Sequence, residues 1–278
     1  SALTRSRGME YGEIVSMPET ERAIRTALQS AQKLANSRVD HVIACISGGS
    51  PRSYGLEGTV DIKTGIVDDN DIADVLGSCG IPAYGSDREV LHAQPVNFSL
   101  DHRTGLSDPR GQIGKKLSVD MHMLTVKEKT IHDLAYCLKR CDLELAGVAS
   151  ASYASALSSL VEDEKELGAA CIDLGGGSTN LAIFWKKHMI FAETIKMGGG
   201  LVTRDISLGL QIPLSTAERL KTRNGGVVAT GLDDREMIEI ASETEDWEGE
   251  RRMISRSDLI GIMRPVSYTH LTLPTIRL

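Results

Sequence analysis

The chain has 278 residues, long enough for one large hydrophobic core or two smaller ones, and a globular composition with 41% hydrophobic and 25% charged residues. Lysine and arginine total 31 against 38 acids, a formal charge of −7, which leaves no electrostatic case for a nucleic-acid partner. No apolar run approaches the length of a membrane span, and the first residues lack the charged start and apolar centre of a signal peptide, so a cytoplasmic setting is expected.

From Ser16 the sequence predicts a helix. Ser16 and Glu19 have the spacing of a capping box, and Ile24, Ala27, Leu28, Ala31 and Leu34 form one apolar face. His41 to Ile46 reads as a buried strand, closed by Ser47-Gly48-Gly49-Ser50-Pro51. A change of texture follows: a short helix around Ile72, Val75 and Leu76 after the acidic turn Asp68 to Asp71, then strands over Val90 to Phe98 and Leu117 to Val126. The last strand alternates, with Leu117, Val119, Met121 and Met123 on one face and Ser118, Asp120 and His122 on the other. This stretch reads as a small α+β unit inserted into an α/β domain, because helix and strand then alternate again: helix Lys127 to Arg140, strand Leu143 to Ala149, helix from Ser152.

Cys45, Cys79, Cys137, Cys141 and Cys171 are scattered and mostly set in apolar patterns, as reduced thiols are. Cys137 and Cys141 lie at helical spacing near His132, but without a Cys-x-x-Cys pair they read as core rather than zinc ligands. His92 and His122 could be pictured as a strand-borne metal pair; surface or cross-strand packing is the commoner fate.

Ala170 to Phe184 is the most informative stretch. A short apolar run ends at Asp173, Gly175, Gly176 and Gly177 turn the backbone, Ser178 and Thr179 follow, and a second apolar run leaves at once. Strand, tight turn and strand make a candidate phosphate cradle, since glycine lets backbone N–H groups approach an anion and tolerates positive φ. A dinucleotide fingerprint would need a helix to open at the glycines, and a Walker loop would need a lysine after the last one. A β-hairpin phosphate loop remains, its acid suited to hold hydrated Mg²⁺ beside a nucleotide tail, with an ordinary glycine-rich hairpin as the alternative.

Met189 to Lys196 supplies a third strand, Gly198-Gly199-Gly200 a second glycine break, and helices follow near Val202 to Leu210 and Ser215 to Arg223. Asp233 to Glu250 is acidic and poor in apolar residues, a solvated strand-and-loop region. A helix opening at Asp258 is expected to stop at Pro265. Residues 266–278 match neither helix nor core and read as a non-native tail.

Asp173-Leu-Gly-Gly-Gly-Ser-Thr179 resembles the second phosphate motif of the actin, hexokinase and chaperone ATPase superfamily, and its surroundings resemble the bacterial cell-division family FtsA. The match is carried by Ser6-Arg-Gly-Met9, Ala44 to Gly49, Ala146-Gly-Val-Ala-Ser150 with Ser152-Tyr-Ala, Glu162 to Gly168, the hairpin, Gly199-Gly200 with Val202 to Ile206, and Ala217 to Lys221. The resemblance implies an α/β, actin-like ATPase fold of ribonuclease H-like domains. Residues 1–51 and 127–167 would form an N-terminally truncated subdomain 1A, 52–126 the inserted subdomain 1C, 168–210 part of 2A and 211–265 part of 2B. The family's opening Asp-x-Gly strand pair, its adenosine-binding Gly-Gly motif and its C-terminal amphipathic membrane helix are not among these residues, so the resemblance reads the chain as incomplete.

By that resemblance the ligand is ATP with Mg²⁺. Asp173 would hold a metal-bound water, Gly175, Gly176 and Gly177 would offer N–H groups to the phosphates, and Ser178 and Thr179 hydroxyls. Gly199 and Gly200 would open a helix facing the nucleotide or serve as a hinge. Glu218 and Lys221 would reach ribose and adenine, although Ser215 to Glu218 also has the spacing of a capping box. Asn180 stands where the family often has Asp. Ala149 to Ser152 offers only alanine and serine where brisk ATPases place Gln or Glu, which implies slow or absent hydrolysis. The implied role is a polymerising protein that links FtsZ filaments to the cytoplasmic face of the inner membrane. The FtsZ C-terminal peptide would dock on 2B, self and late division proteins would bind through 1C, and membrane contact would come only through the C-terminal helix. The alternatives are a small-molecule kinase or exopolyphosphatase, which would need a general base in the cleft, and a chaperone-like ATPase, which would need a true subdomain 1B.

Overall fold

The computed structural model describes residues 1–82, 85–228, 230, 233, 235–240 and 252–271, with backbone alone from 266 onward. Two compact units divide the chain, one of Ser1–Asp173 and Ser178–Ile195, the other of Leu174–Gly177 and Lys196–Leu278. This division falls inside the predicted 168–210 segment.

The first unit opens with an antiparallel ribbon of β1 (Met9–Glu10) and β2 (Glu13–Ile14), followed by helix α1 (Met17–Ala35). Ser16 is the N-cap as its position suggests, yet its side chain caps nothing. The buried Thr20 hydroxyl, one turn in, instead lies 3.0 Å from the carbonyl oxygens of both Gly8 and Ser16, and Pro18 removes one amide that would need a cap. Ile24 and Leu28 pack with Leu138, Cys141 and Leu143 as the apolar face predicts, while Leu34 stands 71% exposed.

β3 (His41–Ile46) pairs in parallel with β8 (Glu144–Ser150), and these two strands form a sheet of their own. β3 is not the buried strand expected: Ile43 is 74% exposed, because β8 lies along one edge only and neither face is fully covered.

The chain between them folds as β4 (Arg52–Asp61), α2 (Asp69–Gly77), β5 (Arg88–Leu100), β6 (Arg103–Leu106) and β7 (Lys116–Lys127). The strands form one antiparallel sheet in the order β4-β7-β5-β6. Alternation along β7 sends Leu117 and Val119 inward, where they meet Val67, Val75, Phe98 and Leu100 in a hydrophobic core. Asp68 caps α2 with a full capping box. The helix lies so close to β4 that a Cβ on Gly58 would fall 2.4 Å from the Val75 carbonyl oxygen.

From His122 onward β7 no longer alternates, since both its faces are covered. His122 is therefore buried rather than on a solvent face. Its Nε2 lies 3.0 Å from Ser53 Oγ, and that hydroxyl already donates to the Ala192 carbonyl. The imidazole must then donate from Nε2, which leaves Nδ1 buried without a hydrogen-bond partner. Burial, reinforced by His92, lowers its pKa to about 4.

After β7 come α3 (Glu128–Arg140), β8, α4 (Ala151–Ser159) and α5 (Glu162–Leu167). Cys137 and Cys141 are buried at the end of α3, and burial pushes the Cys137 thiol up to about 11, as fits core packing. β9 (Ala169–Leu174), β10 (Thr179–Trp185) and β11 (His188–Ile195) form a sheet in the order β11-β10-β9.

The second unit contains α6 (Gly199–Leu210), α7 (Leu214–Asn224), the antiparallel pair β12 (Met237–Ile240) and β13 (Arg252–Ser255), and α8 (Arg256–Leu271). Ile206, Ala217, Ile238 and Leu259 are among the residues of its core. The region expected to be solvated thus contributes Ile238 and Ile240 to the interior, while residues 241–251 lie outside the described residues. α8 runs through Pro265 to Leu271 instead of stopping. The turns before it are anchored by Leu259, Ile260 and Met263, so the proline removes one hydrogen bond from a helix already held in place. Residues 272–278, the rest of the expected tail, lie outside the described residues. No described helix is long and apolar enough to cross a membrane.

Candidate nucleotide site

Strand, turn and strand appear where the residues predicted them, and the candidate residues fall into two sets. The first belongs to the sheet unit. Asp173, half-buried near the end of β9, accepts hydrogen bonds at Oδ2 from Ser155 Oγ on α4 and Asn180 Nδ2 on β10, both at 3.2 Å. Asn180 in turn accepts from Thr194 Oγ1 at 2.8 Å. Ser178 and Thr179 are buried at the start of β10.

The Asn180 amide thus does what an aspartate could not, donating to Asp173 without adding a second charge beside it. Oδ1 of Asp173 has no protein partner among the described residues. One half-buried hard oxygen, oriented by its neighbours and otherwise uncommitted, fits a Mg²⁺ held through water.

The second set belongs to the other unit. The Gly175 and Gly176 carbonyls accept from the amides of Gly199 and Gly200 at 2.9 and 2.7 Å, which laces the glycine turn to the start of α6. None of the three turn glycines has positive φ. Close approach is required instead on the facing segment: a Cβ on Gly198 would sit 2.5 Å from Gly175 O, and one on Gly200 2.9 Å from Gly176 O, whereas one on Gly176 would meet nothing within 4 Å. The Gly199 and Gly200 amides are used inside this lacing.

Lys221 Nζ donates to Gly199 O at 3.1 Å and to Thr203 Oγ1 at 2.8 Å, and pairs with Glu218 at 2.7 Å. Thr203 also bonds to Glu218. The capping-box reading of Glu218 does not hold, because α7 starts at Leu214 with Pro213 as its N-cap and no side-chain cap. Gly199, Glu218 and Lys221 are therefore one polar cluster. The two sets are joined covalently at Asp173–Leu174 and Gly177–Ser178.

Ser155, Thr194 and Thr203 escaped the sequence reading. Only the i, i+3 spacing of Ser152 and Ser155 on one helix hinted at the first. Ser150 and Ser152, at the turn lacking Gln or Glu, have hydroxyls 2.6 Å apart and buried. A cleft of about 450 Å³, lined in part by Ile24, Leu28, Ile43 and Thr130, has none of the predicted site residues in its wall.

These elements form the actin-like ATPase fold. The solved PilM–PilN type IV pilus biogenesis complex aligns over 79% of this chain and 60% of its own with a TM-score of 0.56 at 15% identity, a likeness of fold alone. Two family profiles match: the SHS2 domain inserted in FtsA over residues 48–125, and cell division protein FtsA over residues 170–266. The cell division proteins FtsA of Rhizobium meliloti, Pseudomonas aeruginosa and Escherichia coli K12 are 34%, 32% and 27% identical over 94%, 94% and 96% of this chain. The chain belongs to the FtsA family, and it spans about six-tenths of the length of these relatives, 59%, 62% and 62% respectively.

Proposed function

We propose that this chain is the nucleotide-binding part of a cell-division protein that binds Mg·ATP, polymerises, links FtsZ filaments to the cytoplasmic face of the inner membrane and recruits later division proteins. The observation that carries the reading is the glycine turn bonded through two carbonyls to the start of α6, with Asp173 near the strand end two residues before Gly175. Asp173 would hold the metal through water, the turn and the Ser178 and Thr179 hydroxyls would receive phosphate oxygens, and Glu218 and Lys221 would meet the nucleoside. When bound, Mg²⁺ supplies positive charge that neutralises the phosphates. The chain's own residues orient the carboxylate and hold the turn. With paired serines at the Ser150 to Ser152 turn, hydrolysis is slow or absent, and nucleotide acts by gating assembly.

Titration calorimetry with ATP, with and without Mg²⁺, tests this. Binding should require the metal and weaken about tenfold or more in Asp173→Asn, the scale of losing a charged hydrogen-bonding partner. Binding indifferent to both would locate the nucleotide elsewhere, and no binding would remove the reading from this chain.

A further inference from the structure

The antiparallel ladder of β5 and β7 is interrupted after Val90: Val90 faces Thr125 and His92 faces Leu124, so Leu91 is an extra residue, a β-bulge. Bulges re-aim the side chains beside them. His92 is thereby directed at the end of β8, where its Nε2 accepts the Ser150 amide hydrogen at 2.9 Å. The Tyr153 ring lies 5.0 Å from the imidazole and stacks on Phe184 at 6.0 Å. Ser150 is the N-cap of α4, which has no side-chain cap of its own. Five residues further along that helix, Ser155 donates to Asp173.

We infer that His92 is a positioning residue that couples the inserted unit to Asp173: the imidazole fixes where α4 begins, and α4 presents Ser155 to the carboxylate. A strand of the four-stranded sheet thus reaches the site acid through one helix, with no contact to a ligand. Without the His92 acceptor the Ser150 amide loses the bond that ties it to β5, and α4 can begin in another register. A protein bound to the outer strands of the insert, a second copy of this chain included, would then act on Asp173 by shifting β5. This rests on the reading of Asp173 as the metal-holding acid, and the test separates the two.

In the unmodified protein, NMR should detect a scalar coupling across the hydrogen bond joining Ser150 N and His92 Nε2. Without nucleotide, His92→Leu should move the Asp173 carboxyl ¹³C resonance as Ser155→Ala does. His92→Gln, whose amide oxygen can accept from Ser150, should restore it. Mg·ATP affinity should fall about tenfold in His92→Leu, the scale of one lost hydrogen bond, and recover in His92→Gln. No coupling in the unmodified protein overturns the relay even if His92→Leu fails to fold. An unmoved Asp173 resonance, or equal displacement in both His92 variants, overturns it too. If the resonances respond as stated while no version binds Mg·ATP, the relay stands and the nucleotide reading fails.

Discussion

The inserted sheet and the glycine turn are held in opposite ways. In the insert, strands carry side chains that alternate into a shared hydrophobic core, and Val75, Leu100 and Leu117 are wholly buried. At the turn almost nothing is held by side-chain burial: Gly175 and Gly176 meet Gly199 and Gly200 through backbone bonds, so closely that Gly198 and Gly200 have no room for a Cβ. One region is stable because its side chains are large, the other because they are missing. Substitutions should therefore hurt in opposite directions, by cavity formation in the first and by overpacking in the second.

The sharpest separation should come from Leu117→Ala. Deleting a fully buried leucine costs about 3 kcal/mol, read as a lower urea midpoint, with amide exchange at Gly199 and Gly200 unchanged. Equal loss of protection at those amides would mean the two regions unfold together and the contrast is false. Gly198→Ala should do the reverse at about 2 kcal/mol, speeding exchange at Gly199 and Gly200 about thirtyfold while the insert amides stay protected. A silent Gly198→Ala would show that the turn has slack the geometry denies.

The smallest effect is that of pH. The folded-state pKa of His122 is lowered to about 4 from an ordinary 6.5 by burial and by neighbouring His92, and burial also lowers the pKa of His92. Above 6.5 the imidazole is neutral in both states and full stability is present. Below it the unfolded chain takes up the proton that the folded one refuses, so stability falls as pH drops towards 4. From about pH 7.5 to about pH 5.5 the loss is about 1 kcal/mol. It should be seen in the urea midpoint, flattened in His122→Gln, and absent from exchange at the glycine turn.

How much of this could be read beforehand follows the range of each interaction. The hairpin was legible because an acid, three glycines and two hydroxyl residues sit consecutively between apolar runs, and the insert because Gly48-Gly49 and Pro51 punctuate a change of pattern. Lengths of α1, α3 and β7 follow from local periodicity. An apolar run such as His41 to Ile46 does not reveal which neighbours cover it, and the exposure of Ile43 depends on strands elsewhere in the chain. His122 sits in a polar phase of an alternating strand, yet the strand is covered on both sides there. The Ser155 to Asp173 and Asn180 to Thr194 bonds join residues far apart in sequence, where no spacing rule applies. Of the two reasons to expect glycine at the turn, close approach and positive φ, positive φ is not used by Gly175, Gly176 or Gly177, and close approach is required at Gly198 and Gly200, which face them.

The parallel pairing of β3 with β8 brings His41 opposite Glu144, with the whole insert strung between them. Such a contact is a topological burden, since a long disordered loop must be closed before any strand bond forms. The insert lightens it, because its first and last strands are themselves neighbours, Arg52 facing Thr125. Once folded, it behaves as a clasp that shortens the loop roughly fourfold, two halvings worth about 1 kcal/mol of chain entropy. Contiguous in sequence and closed at its ends, the insert serves in folding as the staple that lets a distant pair of strands find each other.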